Sequence, residues 1–286
     1  MTHPRRPAIH AEAETEAEAD QGSVQLADMD AHTFRDWLAR DPGPVLVPVG
    51  ALEQHGPHLP MGTDAFLSTA IAGSVARRTG GLVAQPFTYG YKSQQKSGGG
   101  DHLPGTTSLD AAALIHLTRS VTVSLFRQGV RRIVFVNGHF ENYQFLYEGI
   151  DLALDGLGIR SGDDRSVLLL SYWDYVSDDT LRKVYPDGFP GWAIEHGGVL
   201  ETSLMLHLRP SLVGLDRAVD HPPADLPRFD RLPVVPERTP ESGCLSAPAG
   251  SDAVKGRLLF DQVVEDLSTD IRVEFGLETS NHTEKA

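Results

Sequence analysis

Short apolar runs alternate with longer stretches of helical periodicity along most of this chain, and that alternation restricts the fold more than any other feature. The apolar runs lie near 44–49, 82–88, 132–136 and 166–171, and the helical patterns occupy 65–79, 109–129, 142–156, 198–208 and 254–275. Parallel strands need a long crossover connection, and the helix that supplies it buries its apolar stripe on the sheet. The expected fold class is therefore α/β, a three-layer α-β-α arrangement with a mostly parallel central sheet. Thr107 and Asp110 read as a capping-box-like start for the second helix, and Gly129 stands near its stop.

Two of the strand-sized runs end in chemistry. Val45-Leu-Val-Pro-Val49 is followed by Glu53, His55 and, after a Gly- and Pro-containing bend, Asp64. Ile133-Val-Phe-Val136 is followed by His139 and Glu141. In extended backbone, residues i and i+2 point to the same side, so each segment offers one imidazole and one carboxylate to one small volume. Ligands of open α/β sheets bind outside the carboxyl ends of the strands, where both segments fall. Asp64, at the start of a helix, has two oxygens with which to bridge two cations. Five N/O donors without a thiolate suit two divalent metals, Zn and/or Mn, with positions left open for water.

The chain has 286 residues, 40% of them hydrophobic and 22% charged, enough for one large core, and it has no apolar run of membrane-spanning length. With 25 basic against 39 acidic residues, the formal charge of −14 disfavours nucleic acid and anionic lipid as partners and suits a small neutral or cationic ligand. Cys244 is the only cysteine, so no internal disulfide or cysteine-based zinc site is available, and a reducing cytoplasm is the expected location. Arg5-Arg6 is followed by the acidic run Ala11–Asp20 in place of an apolar region, which argues against an ordinary export signal. The expected organisation is a disordered acidic tail over 1–22, one catalytic domain over 23–276 and a flexible C-terminal tail over 277–286. The Pro-rich section from Pro222 to Pro248 is too irregular for a regular element and reads as a surface loop or an arm packing on a neighbouring subunit.

These residues carry a family resemblance. Glu53-Gln-His-Gly, Asn137-Gly-His-Phe-Glu-Asn142, the string from Tyr89 to Gly100, Pro104-Gly-Thr-Thr-Ser-Leu-Asp110, Ser171-Tyr-Trp-Asp174 and Ile194-Glu-His-Gly-Gly-Val-Leu-Glu-Thr202 resemble the creatininase (creatinine amidohydrolase) family from about Val24 to about Phe275. The metal motifs are shared with the family's formamide hydrolases and mycofactocin-associated peptidases. The string from Tyr89, the two tryptophan segments and Val219-Asp-His-Pro-Pro223 are closer to creatininase proper.

The resemblance implies that Glu53, Asp64 and His139 hold one metal and that His55, Asp64 and Glu141 hold the other. It places Ser97, Trp173, Trp192 and His196 along the substrate pocket and implies a homohexamer. Creatinine-hydrolysing members have Tyr where this chain has Phe140 and Asp where it has Ala193. The implied reaction is interconversion of creatinine and creatine, by attack of a metal-bridging hydroxide on the ring carbonyl. His196 would give the proton to the ring nitrogen, with Glu201 orienting His196 or the water. Trp173 and Trp192 would stack on a flat guanidinium-like ligand. Lys92 and Lys96, in a polar loop, read as solvent or subunit contacts. The other readings are a formamide or peptide hydrolase of the same family and a metal-binding protein without catalysis.

Overall fold

The computed structural model describes residues 23–40 and 43–277. The expected acidic tail over 1–22 and nearly all of the expected C-terminal tail lie outside the described residues. Among the described residues, four parallel strands form the sheet: β1 (Val45–Val49), β2 (Leu82–Val83), β3 (Arg132–Asn137) and β4 (Ser166–Ser171), in the order β2-β1-β3-β4. Val49 stands opposite Asn137, and Asn137 opposite Ser171, so three strands stop at one level.

The period of two along β1 and β3 divides the core. Val45, Val47, Val49, Ile133 and Phe135 face helices α1 (Ala31–Leu38), α3 (Ala111–Arg127) and α4 (Tyr143–Leu157) through Trp37, Leu114, Phe126 and Leu146. Leu46, Val134 and Val136 face the opposite layer. There, Leu67 and Ile71 of α2 (Thr63–Thr79), Leu200 and Leu204 of α6 (Val199–Leu208) and Leu259 and Val263 of α7 (Ala253–Phe275) close the core. The short helix α5 (Asp178–Val184) completes the set among the described residues. The fold is a three-layer α-β-α sandwich.

Three local readings are corrected. The run expected as a strand over 82–88 is regular only at Leu82–Val83, and the chain rejoins the sheet at a single bridge between Val49 and Phe87. Pro86 lies between, and its ring nitrogen has no hydrogen to give a ladder. The capping-box start at Thr107 is not used: Thr107 N–H donates to the Leu52 carbonyl, and Asp110 becomes the N-cap, its carboxylate 2.7 Å from Lys92 Nζ. Two short helices were not among those expected. α1 is capped by Asp30, which accepts from His32 and Thr33 N–H, and α5 by Ser177, which accepts from Thr180 N–H.

The Pro-rich section has no regular element beyond a 3-10 turn at Pro236–Arg238, and it packs on its own chain. Gln95 Nε2 donates to the Val235 carbonyl at 2.7 Å, and Thr239 Oγ1 donates to the Gly99 carbonyl at 2.7 Å. Lys96 Nζ donates to the Arg228 carbonyl at 3.2 Å. The section therefore covers the loop that carries Lys92, Lys96 and Ser97.

Candidate metal centre

Three segments deliver the acids and imidazoles to one place, and close backbone contacts bring them there. A Cβ on Gly50, just past β1, would meet Ala65 N at 2.3 Å, and one on Gly138, just past β3, would meet the Asp64 carbonyl oxygen at 2.6 Å. The ends of both strands thus press on the first turn of α2, which only glycine permits. Asn137 and Asn142 fix the loop after β3. Asn137 Nδ2 donates to the His139 carbonyl at 2.9 Å, while Asn142 Nδ2 donates to the Gly50 carbonyl at 3.1 Å and its Oδ1 accepts from Tyr91 N–H.

The side chains then meet in a buried cluster. His139 Nδ1 lies 3.0 Å from Glu53 Oε2 and 3.1 Å from Asp64 Oδ2. His55 Nε2 lies 2.9 Å from Asp64 Oδ1 and 3.5 Å from Glu201 Oε1. Asp64 therefore belongs to two compact trios, Glu53-Asp64-His139 and His55-Asp64-Glu201. Glu141 sits alongside: Oε2 is 3.2 Å from His139 Nε2, and Oε1 accepts from Gln94 N–H at 2.9 Å and from the Ser97 hydroxyl. The position beside His55 and Asp64 that the resemblance gives to Glu141 is occupied by Glu201, on the first turn of α6.

Each imidazole is oriented by its other nitrogen. His55 Nδ1 donates to the Glu53 carbonyl at 3.1 Å, and His139 Nε2 to the Tyr91 carbonyl at 2.9 Å, which turns the remaining nitrogens toward the acids. Glu53 Oε1, His55 Nε2 and Asp64 Oδ2 are sealed from solvent without a hydrogen-bond partner. Buried polar atoms are rarely orphaned. Orphans on both carboxylates and on an imidazole, all converging, are what a cation-binding site shows when read without its cations, and the donor set fits two divalent ions.

The charges agree. Burial opposes protonation of His55, yet Asp64 and Glu201 outweigh it and raise its pKa well above the usual value. Burial likewise opposes protonation of His139, and Glu53 and Glu141 overcome it. Burial would raise the carboxyls of Glu53 and Asp64, but facing imidazoles hold both below the ordinary range, His196 and His139 for the first and His55 for the second. Burial dominates at Glu141 and raises its pKa. The cluster demands positive charge, which protons supply in the absence of metal.

Above the acids is a cavity open to solvent, lined by Ser97, Phe140, Trp173, Trp192 and His196 together with the acids and imidazoles. Phe140 and Trp173 stack with centroids 6.2 Å apart, and Trp192 packs on Phe189 at 4.7 Å. His196 Nε2 donates to the Gln54 carbonyl at 2.8 Å, leaving Nδ1 free. Ala193 does not line the cavity; it lies exposed in the 3-10 turn Trp192–Ile194. Tyr172, Glu195 and Leu200 also line it. Sequence reasoning passed over these three because a lone tyrosine, an acid and a leucine carry no spacing signal of their own.

Residues 27–271 match the family model described as Creatininase: Creatinine amidohydrolase. The chain belongs to the creatininase family. It is 53% identical to the creatinine amidohydrolase of Pseudomonas putida over 232 residues, covering 81% of this chain and 89% of that relative. Among solved structures, a manganese creatininase superposes with a TM-score of 0.87 at 49% identity, covering 89% of this chain and 99% of that one. A creatininase variant complexed with creatine superposes at 0.85 and 48% identity, covering 89% and 99%.

Proposed function

We propose that this chain is a two-metal cyclic amidohydrolase that interconverts creatinine and creatine. The observation that carries the reading is Asp64, buried between two imidazoles that point to its separate oxygens, beneath a cavity walled by aromatic rings. Its similarity to a creatinine amidohydrolase and to a creatininase bound to creatine supports the substrate. Glu53, Asp64 and His139 would hold one cation, and His55 and Asp64 the other, with Glu141 and Glu201 both within the cluster. When bound, Zn and/or Mn would lower the pKa of a water and polarise the amide carbonyl.

The chain's own groups do the rest. Phe140, Trp173 and Trp192 take the flat face of the ligand by stacking and cation–π contact. Ser97 and Gln94 N–H hold Glu141 toward the cavity. Glu201 Oε2 accepts from Gly197 N–H at 2.7 Å, which fixes the segment that carries His196. With Nε2–H donating to Gln54, the bare Nδ1 of His196 would take up the proton released by the attacking water and pass it to the ring nitrogen as the ring opens. No described helix is long and apolar enough to cross a membrane. We infer a cytoplasmic homohexamer as the working form, as the likeness to the creatininase family implies.

The test is an assay of creatinine and creatine interconversion with protein loaded with Zn or Mn. Turnover that disappears on chelation is expected. Turnover no higher than the metal-free control overturns the substrate, and activity confined to formamides or peptide ends would assign the chain to the other branch of the family. Phe140→Tyr, at the cavity wall, is expected to raise creatinine kcat/KM about tenfold, since one restored polar contact is worth ~1–3 kcal/mol. An unchanged value would show that Phe140 does not set the substrate.

A further inference from the structure

Tyr172 is the first residue beyond β4, so the strand end delivers it to the same level as the metal-binding segments. Its ring is packed in the core beside α6 and stands edge-on to Trp173, with centroids 5.3 Å apart. The residue is 1% exposed, yet its hydroxyl has no hydrogen-bond partner among the described residues, and it is not one of the sealed polar atoms. Tyr172 lines the cavity, and that is where the hydroxyl opens. A buried phenol ordinarily finds a partner. Here the partner has to be whatever occupies the cavity.

The surroundings say which kind of partner. The charged groups that act on the hydroxyl are the carboxylates of Glu201, Asp64 and Glu195, and none of them receives its hydrogen. A phenol ordinarily loses its hydrogen only at about pH 10, so the hydroxyl is a donor at neutral pH. Asp64 and Glu201 form the acid floor of the cavity, while the rings of Phe140, Trp173 and Trp192 contribute aromatic wall. A flat cyclic amide held by those rings must turn its carbonyl toward the floor, the side on which Tyr172 lies.

We propose that Tyr172 is a catalytic hydrogen-bond donor, giving its hydroxyl hydrogen to the carbonyl-derived oxygen of the bound cyclic amide as the carbon becomes tetrahedral. This rests on the creatinine amidohydrolase reading of the site. A neutral donor aimed at developing negative charge in a dry site acts mainly on the transition state, so its removal lowers kcat more than it raises KM.

Tyr172→Phe tests it, because the variant keeps the ring and deletes only the hydroxyl. Expected are a kcat for creatinine lower by about 100-fold, within the range for loss of one such donor, and a KM unchanged within about threefold. Two metals per chain should remain by mass spectrometry. Because the hydroxyl has no partner among the described residues, the melting temperature should hold or rise. A kcat within twofold of the parent, loss of a metal, or a clear drop in melting temperature would each overturn the assignment, the last two by showing that the hydroxyl serves the protein rather than the ligand. A parent protein inactive on creatinine overturns the functional reading and this assignment with it; an active parent with an unaffected variant overturns this assignment alone.

Discussion

Asp64→Asn is expected to abolish metal-dependent turnover, with a loss of at least about 1,000-fold in kcat/KM and fewer than one metal retained per chain. Asp64 is 2% exposed, and its two oxygens stand 2.9 Å from His55 Nε2 and 3.1 Å from His139 Nδ1. Asparagine keeps the shape but replaces one oxygen by an amide donor and removes the charge, so one side chain can no longer serve two cations. A metal pair contributes several kcal/mol to charge stabilisation in such a reaction, and ~1.4 kcal/mol is tenfold in rate. Two metals retained by mass spectrometry, with activity near that of the parent, would remove Asp64 from the bridging position.

Metal removal is expected to lower the melting temperature by roughly 10–20 °C, and the gap should widen as pH rises. Two sites each at a hundredfold excess over Kd contribute about 2.7 kcal/mol apiece, and each kcal/mol is worth about 2–4 °C in a chain of this size. The sign of the pH effect follows from the metal-free cluster. His55 and His139 have raised pKa values there, so their protonation stabilises the fold below the unfolded value of about 6.5, and that contribution is lost as pH climbs through the raised values. Glu141, also raised, acts in the same direction. Glu53 and Asp64, held low, contribute stability above the unfolded carboxylate range and lose it only in stronger acid. Cations must displace the imidazole protons, so binding tightens with pH while the metal-free protein weakens. Melting curves with and without chelator from pH 6 to 8.5 check this, and a gap that stays constant or narrows would contradict it.

The parts of the site visible in the sequence were those with a period. Glu53 and His55 share a side because extended backbone repeats every two residues, and the same holds for His139 and Glu141. The alternation of apolar runs with helical stretches predicted a mostly parallel sheet covered on both faces, and Val45, Val47 and Val49 pack in one layer while Leu46 packs in the other. What escaped had no period to betray it. Pro86, with its missing donor, stops the run beyond β2 from continuing as regular strand, and the helices capped by Asp30 and Ser177 are only eight and seven residues long. Glu201 reads as an acid in a first helical turn, an ordinary preference. Only the packing of α6 against α2 and α7 shows that its carboxylate reaches His55. Tyr172 was hidden beside the more conspicuous Trp173.

The pairing of Val49 with Asn137 has a consequence for how such a protein can diversify. The two ligand-bearing loops leave adjacent strands at matched residues, so the distance between them is inherited from the backbone ladder, at about 4.8 Å per strand spacing, and not from side-chain choice. No exchange of residues in those loops can readily stretch or shrink the gap without unzipping the sheet. New substrates must therefore be accommodated at the rim, by rings and turn residues such as Phe140 and Trp192, while the floor keeps one fixed gauge.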